Sequence, residues 1–140
     1  MRIKLTRMQA TEPTRGSRQA AGLDLYAITN AYIGAGETFV MDTGVAIELP
    51  EGTFGAVFPR SGLSTKRDLS LANGVAVIDA DYRGNIKVPL HNHGQEDRWV
   101  YAGERVAQLV VIPYLSVDVE VVDELTETER GEGGFGSTGR

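Results

Sequence analysis

Val117-Asp118-Val119-Glu120-Val121 alternates apolar and acidic side chains without a break, and Arg2-Ile3-Lys4-Leu5 alternates in the same way near the other end. A period of two sends successive side chains to opposite faces of an extended strand, whereas an amphipathic helix needs a period near 3.6. Working inward, short apolar runs at residues 38–41, 45–49, 54–58, 86–90 and 106–112 are parted by Gly34-Ala35-Gly36, Leu49-Pro50-Glu51-Gly52 and Asn92-His93-Gly94. Many short strands with frequent turns predict an all-β protein, a sandwich or distorted jelly-roll. Only residues 61–67 suit a helix, of about two turns.

A length of 140 residues fits one compact domain, and 41% hydrophobic content is enough to build a core. Cysteine is absent, which excludes disulfides and thiolate metal sites and suits a reducing compartment, so a cytoplasmic location is expected. No apolar run stands behind a charged start after Met1, so no secretory leader is expected. The longest apolar run, residues 107–115, is interrupted by Gln108 and Pro113 and is too short to cross a bilayer; no membrane partner is expected. A net charge of -5 argues against nucleic acid as a partner. Any anion site must be local, made by basic side chains, backbone N–H groups or a metal ion.

Past Asp123 the pattern ends in DELTETERGEGGFGSTGR, acidic and then glycine-rich, with Phe135 as its one aromatic residue. Such a segment cannot bury enough surface to hold itself in place. A frayed terminus is the default reading. Arg130, Phe135, Ser137 and Thr138 among glycines are instead parts for anion binding and stacking, which favours an arm that orders over a ligand. The expected organisation is a β domain over residues 1–123 and a glycine-rich arm over 124–140.

Four further clusters carry possible chemistry. Asp24 lies between apolar neighbours in AGLDLYA, where a carboxylate is costly unless it is paired or holds a metal; taken alone, a strand-end Asp bonding nearby backbone is the simpler reading. In PRSGLS a strand gives way to the short helix, and Arg60 beside open N–H groups suits phosphate, although a surface Arg near a capping Ser looks the same. NGVAVIDADYRG places Asp79 and Asp81 two apart, so that one can be a general base and the other an ion-pair partner; an Asp-rich structural turn is equally consistent. In GERVAQL, Gln108 interrupts an apolar run and either satisfies backbone or reaches a ligand. The tail lacks the lysine of a Walker loop and has no helix to feed, which excludes that class of NTPase.

Taken together and in order, these segments resemble the five motifs of the trimeric dUTPase family, over nearly the whole chain from about Leu5 to Gly139. IDADYRG, then GERVAQL, then a terminal RGEGGFGSTG is a highly specific set. The resemblance implies a jelly-roll homotrimer whose sites draw on all three chains, and hydrolysis of dUTP to dUMP and pyrophosphate. That reaction keeps uracil out of DNA and supplies dUMP for dTMP synthesis. It further implies that Asp79 activates water for attack on the α-phosphorus, and that Ser61 stabilises charge on the bridging oxygen. Arg60, Ser61, Gly62 and Gln108 would hold the phosphates, Arg130 the far phosphate, Phe135 the uracil ring, and Gly136, Ser137 and Thr138 the triphosphate. Asn73, Ala76, Val77, Ile78 and Asp79 would form a hairpin whose backbone reads uracil, with Tyr82 against the deoxyribose. Mg2+ is the implied cofactor, held by the phosphates and, through water, by Asp24; Asp81 is expected in a structural ion pair.

Two positions depart from the family pattern. Ala76 stands where glycine is usual, which strains the backbone if positive φ is needed there. Asp68 stands where glycine often follows the second motif, and Asp tolerates the left-handed region. Two other readings are a dCTP deaminase of the same fold, for which no Glu is placed near the base, and a trimer that binds nucleotide without catalysis. Release of ammonia from dCTP would mark the first; unchanged behaviour on Asp79→Asn would mark the second.

Overall fold

Eleven strands and one helix account for the regular structure of the computed structural model, which describes residues 1–134. In chain order these are β1 (Arg2–Leu5), β2 (Leu23–Tyr26), β3 (Ala31–Ile33), β4 (Thr38–Asp42), β5 (Val45–Glu48), β6 (Thr53–Phe58), α1 (Ser61–Arg67), β7 (Leu69–Leu71), β8 (Ala76–Ile78), β9 (Lys87–Asn92), β10 (Arg98–Val100) and β11 (Arg105–Pro113). All named pairings are antiparallel. A four-stranded sheet runs β2-β11-β6-β8, a three-stranded sheet runs β4-β9-β7, and β1-β5 and β10-β3 form two ribbons. The expected all-β class with one short helix is what the chain adopts.

Alternation explains which side chains form the core. Along β9, Val88, Leu90 and Asn92 are buried while Lys87, Pro89 and His91 are less so, the pattern of a strand with one dry face. Leu25, Met41, Val45, Val57, Leu69, Leu90 and Leu109 come from both larger sheets and a ribbon, and join one apolar cluster. Asn92, fully buried, donates its amide to the carbonyls of Ile33, Gly34 and Glu96 at 3.0, 3.2 and 2.8 Å, so the polar group inside this core is satisfied.

The helix is short because only Leu63 among its residues is buried, and Asp68 ends it in the left-handed region at φ 55°. Lys66 and Arg67 in its last turn complement its dipole. Asp68 is the one non-glycine residue with positive φ among those described, so Ala76 carries no such strain.

Three sequence expectations change. The alternating stretch 117–121 is not a strand: Val117, Val119 and Val121 are 73%, 88% and 94% exposed. Both edges of β11 are already taken by β2 and β6, and β11 ends at Pro113 with no partner strand for the segment beyond it among the described residues. The segment 73–79 is not a paired hairpin either. Gly74 turns at φ 68°, and its flanking strands then separate, β7 onto β9 and β8 onto β6. Asp81 has no ion pair among the described residues; its neighbour Arg83 instead donates to the carbonyls of Ala80 and Tyr82 at 2.7 and 3.1 Å. This turn is exposed, where hydration competes with pairing.

Candidate functional site

β2 and β6 flank β11, and that arrangement assembles a charged cluster. Asp24 lies opposite Gln108, which lies opposite Phe58, one residue short of the Pro59-Arg60 step into α1. Asp24 is 9% exposed, and its carboxylate is divided between two guanidinium groups: Arg60 Nε donates to Oδ1 at 3.0 Å and an Arg105 amino group to Oδ2 at 3.2 Å. A carboxylate so poor in water requires such pairing. The Arg60 guanidinium also reaches the Arg105 carbonyl at 3.4 Å. Tyr26, Arg60, Gly62, Leu63, Arg67, Gly103, Glu104 and Arg105 line an open pocket of about 400 Å3 beside this cluster. Arg67 pairs with Glu104 at 2.7 Å on its rim.

Ser61 and Gly62 begin α1 and are exposed, and no side chain caps that end, so their N–H groups are available to an anion, while the Leu63 N–H donates to the Arg60 carbonyl at 3.0 Å. Gln108 donates to the Pro59 carbonyl at 3.0 Å, which ties β11 to the turn that carries Arg60. Gly22 is needed for this: a Cβ there would lie 2.7 Å from Gln108 Oε1.

Asp79 follows β8 on the other edge of the same sheet. It is exposed, has no ion pair among the described residues, and lines a cleft of about 280 Å3 with Phe54, Val77 and Tyr114. Its carbonyl accepts from the Tyr82 N–H at 3.1 Å, closing the turn. Tyr82 donates its hydroxyl to the Asn85 carbonyl at 3.1 Å, and its ring lies against Gly84, where a Cβ would meet the phenol oxygen at 2.3 Å. Ala76 and Val77 pair with Val57 and Ala56, Ile78 is buried against Gly55, and Asn73 is exposed at the turn. Arg130 is exposed and donates to the Gly133 carbonyl at 2.8 Å. Phe135, Gly136, Ser137 and Thr138 lie outside the described residues.

Within one chain the two acids do not share a site. β2 and β8 are three strand spacings apart, about 14 Å. The register places Asp79 four residues further along than the level of Asp24, about 13 Å more, for a separation of about 19 Å.

The fit to a metal ion rests on Asp24. Its two oxygens each accept one guanidinium bond and keep lone pairs, so the side chain suits a hydrated cation held through water better than direct ligation. No cluster of three His, Cys, Asp or Glu occurs among the described residues, so most ligands would come from a polyanionic substrate. The resolved proton shifts lie elsewhere. Asp97 is held below the usual carboxylate range by the Tyr32 hydroxyl and then the Ala35 N–H, Tyr32 is correspondingly raised, and Arg98 is raised by Glu96 and then Asp68.

Sequence reasoning missed Arg105, Gly22 and Gly84. Arg105 sat inside the quoted GERVAQL, but its role depends on β2 lying beside β11, with a register shift between Arg105 and Ala107.

Comparison with known proteins adds the following. The dUTPase family model matches residues 8–139. A deoxyuridine 5'-triphosphate nucleotidohydrolase of Escherichia phage T5 is 50% identical over 147 residues, covering 99% of this chain and 98% of its own. A solved dUTPase of Staphylococcus bacteriophage 80alpha, a point mutant with dUpNHpp, superposes with a TM-score of 0.92 at 29% identity, covering 99% of this chain and 98% of its own. A mutant dUTPase from phage phi11 of S. aureus, described with a structural Mg(II) ion, gives a TM-score of 0.82 at 26% identity and covers 88% of this chain and 96% of its own.

Proposed function

The chain belongs to the dUTPase family, and from that premise we propose that its site hydrolyses dUTP to dUMP and pyrophosphate. The observation that supports this most is the pairing of two features: an exposed Asp79 at the edge of a cleft, without an ion pair among the described residues, and a pocket lined by Arg60, Arg67 and Arg105. Asp79 accepts a proton from water as the water oxygen bonds to the α-phosphorus. The bond from that phosphorus to the bridging oxygen breaks, pyrophosphate leaves, and Ser61 donates toward the bridging oxygen. Arg60, Gly62 and Gln108 hold the phosphates in line, so that positioning and charge stabilisation lower the barrier.

Mg2+, bound by the phosphates and through water by Asp24, would neutralise phosphate charge. With or without it, the Asp24 carboxylate fixes Arg60 and Arg105, and keeps the guanidinium of Arg60 aimed at the pocket. Backbone groups of Asn73, Ala76, Val77 and Ile78 read the uracil edge. Cytosine reverses donor and acceptor there and leaves groups unpaired, which is a large penalty. Tyr82 stands against the sugar and excludes a 2′-hydroxyl. Arg130, Phe135, Gly136, Ser137 and Thr138 belong to an arm, residues 124–140, that closes on the nucleotide.

A homotrimer with shared sites completes this reading. The about 19 Å between Asp24 and Asp79 in one chain supports a site to which two copies contribute. The exposed Leu115, Val117, Val119, Val121 and Leu125 offer an apolar edge that a second copy can cover. The cytoplasm is the proposed location, and removal of dUTP before DNA synthesis together with supply of dUMP the proposed role.

Pyrophosphate release from dUTP, dCTP, dTTP and UTP, each with and without Mg2+, tests the proposal. Turnover of dUTP alone, dependent on the metal, is expected. Equal hydrolysis of dCTP would refute the reading of uracil by backbone, equal hydrolysis of dTTP would show that the site admits the 5-methyl group by which thymine differs from uracil, and ammonia release from dCTP would favour the deaminase.

A further inference from the structure

His91 and His93 lie outside the pockets of Arg60 and Asp79, at one end of the three-stranded sheet. Residues two apart in extended chain share a face, and the two imidazoles sit with ring centroids 4.4 Å apart at an interplanar angle of 72°. His93 is exposed and His91 half-buried.

Among the described residues, each ring is held by one nitrogen only. His91 Nδ1 is bonded to the Thr38 hydroxyl at 2.9 Å and His93 Nε2 to the Ser70 hydroxyl at 2.6 Å. Thr38 and Ser70 are the cross-strand partners of His91 on either side of β9. That leaves His91 Nε2 and His93 Nδ1, opposite nitrogens of neighbouring rings, as the remaining donors. A hydrogen bond at one nitrogen fixes which of the two is free to ligate a metal, the arrangement that orients histidine ligands generally.

The backbone between them is rigid as well. Asn92 points into the core, where its amide holds three carbonyls, and the His93 N–H donates to the Asp68 carbonyl at 2.8 Å. Bridging requires the two free nitrogens to stand about 3.3 Å apart, for metal–nitrogen bonds near 2.05 Å and a tetrahedral angle. The ring centroids stand 4.4 Å apart, so both imidazoles are within reach of a single ion.

We propose that His91 and His93 form a two-histidine site for a borderline divalent transition cation, Zn2+, Ni2+ or Cu2+, whose remaining positions are filled by water. Imidazole suits these ions and not Mg2+, so the site is chemically separate from the one that serves the triphosphate. Both ligands belong to β9 and the residue that follows it, and a bound ion stabilises the folded state, in which the two rings are held side by side, by mass action.

Calorimetric titration of the full-length protein with zinc chloride, in non-chelating buffer with excess Mg2+, tests this. One histidine-dependent equivalent per chain is expected, with a rise in Tm. His91→Ala and His93→Ala should each abolish that equivalent, and Ser70→Ala should weaken it about tenfold by freeing the His93 ring. Turnover of dUTP should be unchanged in His93→Ala, whose exposed position leaves the fold intact; circular dichroism checks each variant. Zinc binding equal in the wild type and His93→Ala would assign the ion to the acidic tail and overturn the site, as would no binding at all.

Discussion

Replacing Asp24 by Asn tests whether the buried carboxylate holds the two arginines of the phosphate pocket. The substitution keeps shape and removes charge. Asp24 accepts bonds of 3.0 and 3.2 Å from Arg60 and Arg105, while its side chain is 12% exposed and theirs are 26% and 49%. Hydrogen bonds to a charged group contribute about 1.5–3 kcal/mol each. The Arg105 bond lies at the low end, because that side chain is half in water. Asn retains one oxygen for Arg60 or Arg105 but turns an NH2 group toward the other guanidinium, donor against donor. Breaking a fully buried pair costs about 3–5 kcal/mol, which is a ceiling here, and about 2–3 kcal/mol is expected.

Urea denaturation at matched protein concentration measures the stability change; matching is needed because the proposed assembly would contribute to stability. Steady-state kinetics on the same samples should show a raised KM for dUTP and a higher Mg2+ requirement, since the positioning of Arg60 and the proposed water-mediated cation contact are both weakened. A variant within about 0.5 kcal/mol of wild type, with unchanged KM, would show that Asp24 neither pairs nor positions these groups.

Two further changes follow from contacts at the proposed nucleotide site. Gly84→Ala pushes the Tyr82 ring off its seat, because a Cβ would meet the phenol oxygen at 2.3 Å; discrimination of dUTP against UTP should fall, with little change in Tm, as the ratio of kcat/KM values will report. Truncation before Arg130 removes the glycine-rich part of the proposed arm but no buried side chain of the β domain; turnover should drop at least about 100-fold through lost positioning while Tm holds.

The fold was legible where alternation met a core. Residues 38–41, 54–58 and 106–112 became β4, β6 and β11 because their apolar faces bury against one another. Three-residue strands such as β3 and β10 were not, because so short a run has no period to detect. The stretch 117–121 was read as a strand from a sound pattern; a pattern states that an apolar face needs covering, not that the cover lies in the same chain.

At the site, Arg60, Ser61, Asp79 and Tyr82 could be selected because each stands in an ordered, specific motif. Arg105 could not, since its role is set by Asp24, 81 positions earlier in the chain on the neighbouring strand. Gly22 and Gly84 matter through space kept empty for Gln108 and Tyr82, which only three-dimensional proximity discloses.

The most direct test of water activation by Asp79 is the turnover number of Asp79→Asn beside its affinity for dUpNHpp. General-base removal predicts a loss in kcat of about 10^2–10^4 with the analogue still bound, since the amide fills the same space but takes no proton. Turnover within a few-fold of wild type would contradict the role and move catalysis to another group.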